Sequence, residues 1–278
     1  MKRVLFLILI TNAVSFGQSL NQTFGFANQL YEQKSYPNAV EAYKRVLFFD
    51  SAAAFSNQVF PKIADCLFKL QKYQESAQYY DLAYFSAQDS VLKNAYVLKK
   101  ISCFLILKQY DYAEVELLGL DENLESPQKK EKDFNEAVLR FAKGEYDLSE
   151  QIFKSLVSDS AKVDLLFEKN NKVSKISPKK AKIMSMIVPG LGQLYVGDVK
   201  NGLNSFVLSV GLFSLGLRSA LINNPLDAAI STLPWFQRYY QGGFKKAELI
   251  AIARIQEKRY KIYNQLLDEV EKGGIVGN

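Results

Sequence analysis

A tyrosine recurs at near-constant spacing through the first half of the chain. Tyr36, Tyr73, Tyr110 and Tyr146 are separated by 37, 37 and 36 residues. A small residue follows each tyrosine after three positions, and a bulky apolar residue follows it after seven. Because a fixed period of this length is typical of arrays in which each unit buries a face against the next, the first half is predicted to be a repeat array. The residues in register are Ala39, Ser76, Ala113 and Ser149 for the small position, and Tyr43, Tyr80, Leu117 and Phe153 for the bulky one.

The pattern within each unit predicts a helix, a tight turn and a second helix. The tyrosine would fill the gap at the turn, and the small residue would let the two helices approach closely. This order of residues resembles the tetratricopeptide repeat over roughly residues 20–160. The chain lacks the early Trp and the closing Pro of that repeat, and its period exceeds the family's 34 residues. The resemblance implies about four helix pairs within residues 18–160.

The same resemblance implies a binding groove. In tetratricopeptide arrays the first helices of the units line a concave face that binds extended peptides or partner helices. Aromatic rings at such a surface supply contact area, while amides and single charges fix a peptide backbone. The alternative for Phe68 and Leu105 is that they only pack on neighbouring helices. By repeat position, the groove residues are Asn28, Tyr31, Glu32, Asp65, Phe68, Lys69, Ser102 and Leu105.

The sequence contains no histidine. This composition excludes Ser-His-Asp and Cys-His nucleophiles and histidine-containing zinc sites. Acidic pairs such as Asp111 with Glu114 are interpreted as solvated helix faces, so we expect no catalytic residue, no metal site and no cofactor. The two cysteines, Cys66 and Cys103, hold the same position in successive units, where their spacing is compatible with simple burial and with a disulfide.

The first 17 residues have the layout of a secretory signal peptide. Lys2 and Arg3 are followed by the apolar residues 4–10, and the small residues Ser15 and Gly17 precede Gln18. The apolar stretch is too short for a convincing spanning helix. A cleaved signal predicts an exported protein with periplasmic repeats, and an uncleaved anchor is the alternative.

Charge differs between the two halves of the chain. Residues 18–171 carry 18 Lys/Arg and 22 Asp/Glu, whereas residues 172–278 carry 15 and 7. Residues 161–182 are interpreted as a basic linker. A basic segment can bind anionic lipid or nucleic acid, and the apolar sequence beside it favours lipid. We therefore expect membrane lipid as a partner and no nucleic acid.

An apolar run occupies residues 203–222, in which Arg218 is the only charge. A helix of this length extends about 30 Å, about the thickness of a bilayer core. A charge inside such a run is a candidate functional residue. The glycine-rich segment before the run predicts a tight turn between a short segment, residues 182–196, and the longer helix, because irregular backbone is costly at membrane depth. Residues 183–243 are thus expected to form a membrane-associated hairpin.

The segment PGLGQLYVG, residues 189–197, is similar to the Pro-Gly-x-Gly-Gln-x-Tyr-x-Gly signature of small bacterial membrane domains like the two-transmembrane-helix family. Such domains are often fused to export signals and repeats, and their biochemical role is largely undefined. The glycines allow close approach of backbones, and a tyrosine can sit at a membrane interface. The membrane residues singled out are Pro189, Gly190, Gly192, Gln193, Tyr195, Gly197, Gly202 and Arg218.

The last part of the chain, residues 244–278, begins with an amphipathic helical pattern. Apolar residues recur there at mostly three- and four-residue steps, from Leu249 to Val270. Its basic residues are compatible with contact to anionic headgroups, and its apolar stripe is equally compatible with docking on the repeats or on another subunit.

Taken together, the patterns predict an all-α protein: a tetratricopeptide-type α-solenoid, then a membrane-associated helical hairpin and a C-terminal amphipathic helix. The expected function is a non-enzymatic adaptor or scaffold of the cell envelope that binds a protein or peptide. The alternative is a transport or envelope-assembly component in which the hairpin is active and the repeats regulate it. The basic linker favours a cytoplasmic side, in conflict with the signal peptide. One solution is a hairpin that enters the membrane and returns, which leaves both basic flanks on the exported side, and the other is that residues 1–17 are not a signal. The first is preferred, because the N-terminal pattern is the cleaner of the two.

Overall fold

The computed structural model describes residues 19–120 and 124–272. Within those residues the chain forms fourteen helices and no strand, which confirms the all-α prediction. The chain divides into two compact units, one ending at Glu145 and the other beginning at Tyr146. The predicted signal peptide, residues 1–17, lies outside the described residues.

The first unit is a succession of helices that pack on their neighbours. Each helix from α1 to α6 contacts the next, and α7 contacts both α5 and α6. This consecutive packing is that of an α-solenoid, as predicted from the repeat. The helices are α1 (Leu20–Glu32), α2 (Tyr36–Phe49), α3 (Ser56–Lys69), α4 (Tyr73–Ser86), α5 (Ser90–Ile106), α6 (Tyr110–Leu118) and α7 (Ser126–Lys143).

The turn before each periodic tyrosine has one repeated backbone conformation. Two residues before each tyrosine stands a residue with positive φ: Lys34 at 57°, Gln71 at 60°, Lys108 at 58° and Gly144 at 85°. The next amide donates to a carbonyl five residues earlier, as in Lys72 to Leu67 at 2.9 Å. This left-handed cap, with its pair of hydrogen bonds, is the Schellman ending of a helix. The 37-residue period therefore repeats a turn as well as a pattern of side chains.

The residues in register with the tyrosines form the core of the array. Among the small ones, Ser76 is fully buried, and its hydroxyl donates to the carbonyl of Ala64 at 2.9 Å. Among the bulky ones, Tyr43 is fully buried and Tyr80 is 2% exposed. Small side chains at these positions bring the two helices of a unit together, since their backbones can approach closely.

The two cysteines are buried and free. Burial raises the pKa of the Cys66 thiol to about 12 and that of the Cys103 thiol to about 11. Because the thiolate is the reactive form of cysteine, both side chains act as small core residues rather than as nucleophiles at neutral pH.

The second unit begins with the helix that carries the fourth tyrosine. Residues 161–182, interpreted from the sequence as a linker, contain α9 and the beginning of α10. Val163, Leu166 and Phe167 bury one side of α9, which is why this basic segment is helical and packed. The helices are α8 (Tyr146–Leu156), α9 (Ser160–Ser174), α10 (Pro178–Ile187), α11 (Leu191–Tyr195), α12 (Val199–Ile222), α13 (Pro225–Ser231) and α14 (Leu233–Lys272).

The longest helix, α14, is the element on which the second unit is built. It begins eleven residues before the expected start at residue 244 and packs on each of α8 to α13. Its second half buries Ile262, Leu266 and Val270, and α9 and α8 pack on it. The second half of the predicted apolar stripe is thus covered by helices of its own unit, whereas Leu249 and Ile252 in its first half are exposed.

The hairpin of the second unit pairs α12 with the first third of α14, and α13 connects the two. The rings of Phe213 and Phe236 lie 5.8 Å apart, and nearer the other end of the hairpin Lys246 Nζ donates to Asn201 Oδ1 at 2.7 Å. The order of these contacts shows that the two helices run antiparallel. The sequence predicts a tight turn between residues 182–196 and the long helix. In the structure α11 contacts α12 across that turn, and α12 packs on α14 in addition.

Replacing Gln71 by Gly is expected to raise the free energy of unfolding by roughly 0.5–1 kcal/mol. Glycine adopts the left-handed conformation without the steric cost that a side chain brings, and the fourth turn already has Gly144 at this position. The measurement is denaturant unfolding of the full chain in detergent, followed by far-ultraviolet circular dichroism.

The matched control is Gln78→Gly, since Gln78 is an exposed residue inside α4. Glycine within a helix costs about 1 kcal/mol, so this change is expected to lower the free energy of unfolding. Shifts of the same sign for both variants would contradict strain at the turn.

Candidate functional site

The polar residues of the predicted groove hold the two helices of a unit together. Asn28 Oδ1 accepts the hydroxyl of Tyr43 at 2.7 Å, and Asp65 Oδ1 accepts the hydroxyl of Tyr80 at 2.7 Å. These are equivalent residues of successive units. Burial raises the pKa of both tyrosines, and Asp65 raises that of Tyr80 further. In the third unit both partners change together: Leu117 replaces the tyrosine, and its partner position is Ser102.

A second set of contacts joins the first helices of successive units. Lys99 Nζ donates to Asp65 Oδ1 at 2.8 Å, and Lys62 Nζ lies 4.0 Å from the centre of the Tyr31 ring. In the next unit, Ser102 Oγ donates to Asn135 Oδ1 at 3.3 Å. Lys62, Lys99 and Asn135 are themselves spaced by the repeat period. The predicted groove therefore carries a ladder of polar contacts that stabilises the array.

The remaining predicted groove residues differ in exposure. Phe68 packs against the core with its ring 5.2 Å from that of Tyr73, and Leu105 packs on the same core. Their carbonyls also accept the amides of the left-handed turn residues. Glu32 and Lys69 are exposed and form no ion pair with any residue that the structure describes. Among the predicted groove residues, these two charges are therefore the ones that the array does not use.

Sequence reasoning missed an exposed aromatic surface on the second helices. Phe48 is 81% exposed and Phe85 is 75% exposed, and the two residues are 37 apart. Tyr112 on α6 is also well exposed. The sequence does contain a signal for this surface. Phe48 and Phe85 each stand twelve positions after a periodic tyrosine, and this position does not belong to the pattern that fills the core.

In the second unit, two motif glycines lie where backbones meet. A Cβ atom on Gly190 would come 2.1 Å from the carbonyl oxygen of Gly202, and one on Gly192 would come 1.8 Å from that of Ala181. Gly190 also has a φ of +90°. The motif therefore needs glycine at these positions, because any side chain would separate α10, α11 and α12.

The motif glutamine is a buried connector. Gln193 is fully buried, and its Oε1 accepts the hydroxyl of Ser185 at 2.8 Å. Its Nε2 donates to the carbonyl of Gly243 on α14 at 2.9 Å. The hydroxyl of Ser185 in turn accepts the amide of Gly192 at 2.9 Å. One side chain thus ties α11 to α10 and to α14.

The other motif residues lie at the same junction. Tyr195 donates to the carbonyl of Lys175 at 3.4 Å, and Pro189 is half-buried between α10 and α11. Gly197, with a φ of +83°, turns the chain toward Asp198, whose Oδ1 caps α12 by accepting the amide of Asn201 at 3.1 Å. The motif is therefore a packing junction in which each residue has a structural task.

Arg218 lies apart from this junction. It is exposed in the last two turns of α12, four residues before the helix ends at Ile222. An arginine so close to a helix end can reach polar surroundings by extending its side chain. Its position does not favour an active role at the centre of a membrane.

The outer side of α12 is an apolar surface that the other helices of the second unit leave exposed. The most apolar 18 residues of this 24-residue helix have a mean hydropathy of 1.7, and only 6% of that stretch is buried. Within the described residues, α12 is the one helix long and apolar enough to cross a membrane. A soluble protein rarely exposes so much contiguous apolar surface. The exposed apolar residues of this helix include Leu203, Phe206, Val207, Val210, Phe213, Leu215, Leu217, Leu221 and Ile222.

Comparison with known proteins found no matching family model, no matching curated protein and no matching solved structure.

Replacing Gly192 by Ala is expected to lower the thermal unfolding midpoint of the chain in detergent. A methyl group 1.8 Å from the carbonyl oxygen of Ala181 forces the two backbones apart, and overpacking of this kind costs about 1–3 kcal/mol or more. The measurement is differential scanning fluorimetry in one detergent at one protein concentration.

Gly211→Ala is the control, because a Cβ atom on Gly211 meets nothing within 4 Å. Alanine within a helix is favoured over glycine by about 0.5–1 kcal/mol, so this variant is expected to unfold at the same temperature or slightly higher. A midpoint for Gly192→Ala equal to that of the unaltered chain would show that the junction is not tightly packed.

Proposed function

We propose that this protein is a non-enzymatic adaptor of a bacterial cell envelope. Its tetratricopeptide-type array holds a protein or peptide partner, and its second unit fixes the complex to a membrane. The observation that carries the proposal is the exposed apolar face of α12, because lipid is the surrounding that removes such a face from water.

The dimensions of α12 support the membrane anchor. At about 1.5 Å per residue a helix of this length extends about 36 Å, more than the roughly 30 Å of a bilayer core. Lys200 lies in its first turn and Arg218 near its last, so both charges are close to the ends of the apolar stretch. Charges at these levels can stay in the interface while the apolar residues between them are in lipid.

The antiparallel hairpin supports a topology in which the chain enters and leaves the membrane on one side. Lys246 contacts Asn201. The start of α12 therefore lies at the same level as Lys246 on α14, where the sequence of α14 becomes polar. Both basic flanks of the apolar hairpin then face the same compartment. In the proposal this compartment is the periplasm, because a cleaved signal at residues 1–17 would export the repeats. The positive-inside bias by itself favours the cytoplasmic side for both flanks, and the proposal gives the signal the greater weight.

The repeat array supplies surfaces that suit a polypeptide partner. Glu32 and Lys69 offer unpaired charges of opposite sign on the first helices, among the residues the structure describes. Phe48 and Phe85 offer exposed aromatic area on the second helices. Aromatic anchors with isolated charges are typical of protein interfaces.

Replacing Val207 by Asp is expected to weaken membrane attachment. Val207 is 64% exposed and lies in the apolar stretch of α12, about 5 Å along the axis before the helix midpoint. A carboxylate at the centre of a membrane helix costs about 2.5–3.5 kcal/mol on insertion scales, and this amount is the upper limit at Val207. The unaltered chain should sediment with carbonate-washed membranes, and a much larger fraction of the variant should remain in the supernatant.

The matched control is Val115→Asp, since Val115 on α6 is 66% exposed in the repeat unit. This variant should sediment like the unaltered chain. Sedimentation of Val207→Asp equal to that of Val115→Asp would show that α12 does not face lipid.

Reversing the charge of Lys69 is expected to reduce capture of a partner by roughly five- to tenfold if the groove makes the contact, since one interface charge is worth about 1 kcal/mol or more. The measurement is crosslinking and pull-down from membranes with Lys69→Glu, followed by quantitative mass spectrometry. Lys44→Glu is the control, because Lys44 is an exposed lysine on a second helix.

A protein whose recovery falls with Lys69→Glu and not with Lys44→Glu identifies the groove partner. Equal recovery with both variants would remove the groove from the proposal and direct attention to Phe48 and Phe85.

A further inference from the structure

A polar cavity lies between α12 and α14 at the junction end of the hairpin. Its volume is about 370 Å³, within the usual range for sites that bind small molecules. The cavity is open to the outside. Gln193, which also lines it, is fully buried and makes its hydrogen bonds within the protein. Its polar lining is formed mainly by Asn201, Asn204, Ser205, Arg238, Tyr239 and Lys246.

The charge in this cavity is positive. Arg238 and Lys246 both line it, and Arg238 has no acidic partner among the residues that the structure describes. Lys246 donates to the neutral side chain of Asn201. The neighbouring carboxylate, Asp198, lies outside the lining and is occupied by Asn201, whose side chain donates to it at 2.8 Å. That hydrogen bond is the main reason that the pKa of Asp198 is lowered.

One polar group of the cavity has no partner. The hydroxyl of Ser205 is buried and makes no hydrogen bond within the described chain. It stands against Gly243, where a Cβ atom would come 2.5 Å from the oxygen. The oxygen is buried between α12 and α14, so it is not a donor that a ligand in the cavity reaches. The donors that the lining presents are a guanidinium and an ammonium.

The level of the cavity along the hairpin corresponds to a headgroup region. Its α12 residues begin at Asn201, where the helix has just left the basic junction, and end at Leu208. From Lys200 to the middle of this stretch is about 7 Å along the helix axis. If α12 is embedded as proposed above, the cavity opens where the phosphates of one leaflet lie and the apolar hairpin continues beyond it.

We propose that this cavity binds the phosphate headgroup of an anionic phospholipid. Arginine presents a planar fork that matches two phosphate oxygens, and lysine adds a point charge beside it. The inference rests on the proposed membrane anchor and adds to it a defined lipid, held at a site rather than attracted by general charge.

The test compares lipid retention by four full-length proteins: the unaltered chain, Arg238→Gln, Lys246→Gln and the control Lys245→Gln. Lys245 is exposed and adjacent to Lys246, but it does not line the cavity, so the control removes the same charge. Each protein is incorporated into nanodiscs of phosphatidylcholine with about one third phosphatidylglycerol. It is then released into detergent and examined by native mass spectrometry for retained phosphatidylglycerol.

The unaltered chain and Lys245→Gln are expected to retain phosphatidylglycerol. Arg238→Gln and Lys246→Gln are each expected to retain roughly tenfold less, which corresponds to about 1.4 kcal/mol. A parallel titration with inorganic phosphate, followed by thermal unfolding, separates a lipid site from a site for a free anion.

Equal loss in Lys245→Gln and Arg238→Gln would overturn the site in favour of general electrostatic attraction. Retention by Arg238→Gln equal to that of the unaltered chain would also overturn it, as would stabilisation by inorganic phosphate with no retained phosphatidylglycerol. In these cases the anchor stands so long as all four proteins enter the nanodiscs. Failure of the unaltered chain to enter nanodiscs would overturn the anchor itself and the lipid site with it.

Discussion

The second unit depends on the hydrogen bonds of one buried amide. Gln193 joins Ser185 on α10 to the backbone of Gly243 on α14, and the glycines beside it let those helices come close enough for both contacts. A buried amide is stabilising only when its donor and its acceptor are both satisfied. This requirement fixes the register of α14 against the junction. The register in turn sets which residues of α14 face α12.

The consequence for the hairpin is that its two ends differ in chemistry. At the junction end, the fixed register brings Arg238 and Lys246 beside Asn201 and Ser205. Toward the other end, Phe213 and Phe236 pack together, and the surrounding surface is apolar. A hairpin with one basic, polar end and one apolar end has the layout expected of an element that enters lipid from one side.

The repeat unit follows a different principle, in which one turn and one pair of side chains are used again in each unit. The left-handed turn ends the first helix, and the residue eight positions before the periodic tyrosine binds the second helix where that helix offers a hydroxyl. Because the polar groove residues perform this task, they are committed to the array. The side chains that the array does not use are Glu32 and Lys69 on the first helices and the exposed aromatics of the second helices.

The sequence by itself determined the repeat, its register and the apolar character of α12, because a period and a hydropathy pattern are local properties of the chain. It also located the junction motif, since glycines with a buried amide leave a recognisable order of residues. Only the tertiary structure decided that α12 pairs with α14, that residues 161–182 are packed helix, and that Asn28 and Asp65 bind tyrosines of their own units. These outcomes depend on contacts between residues far apart in the chain, and the free energy of such contacts is set by which faces meet rather than by the local pattern.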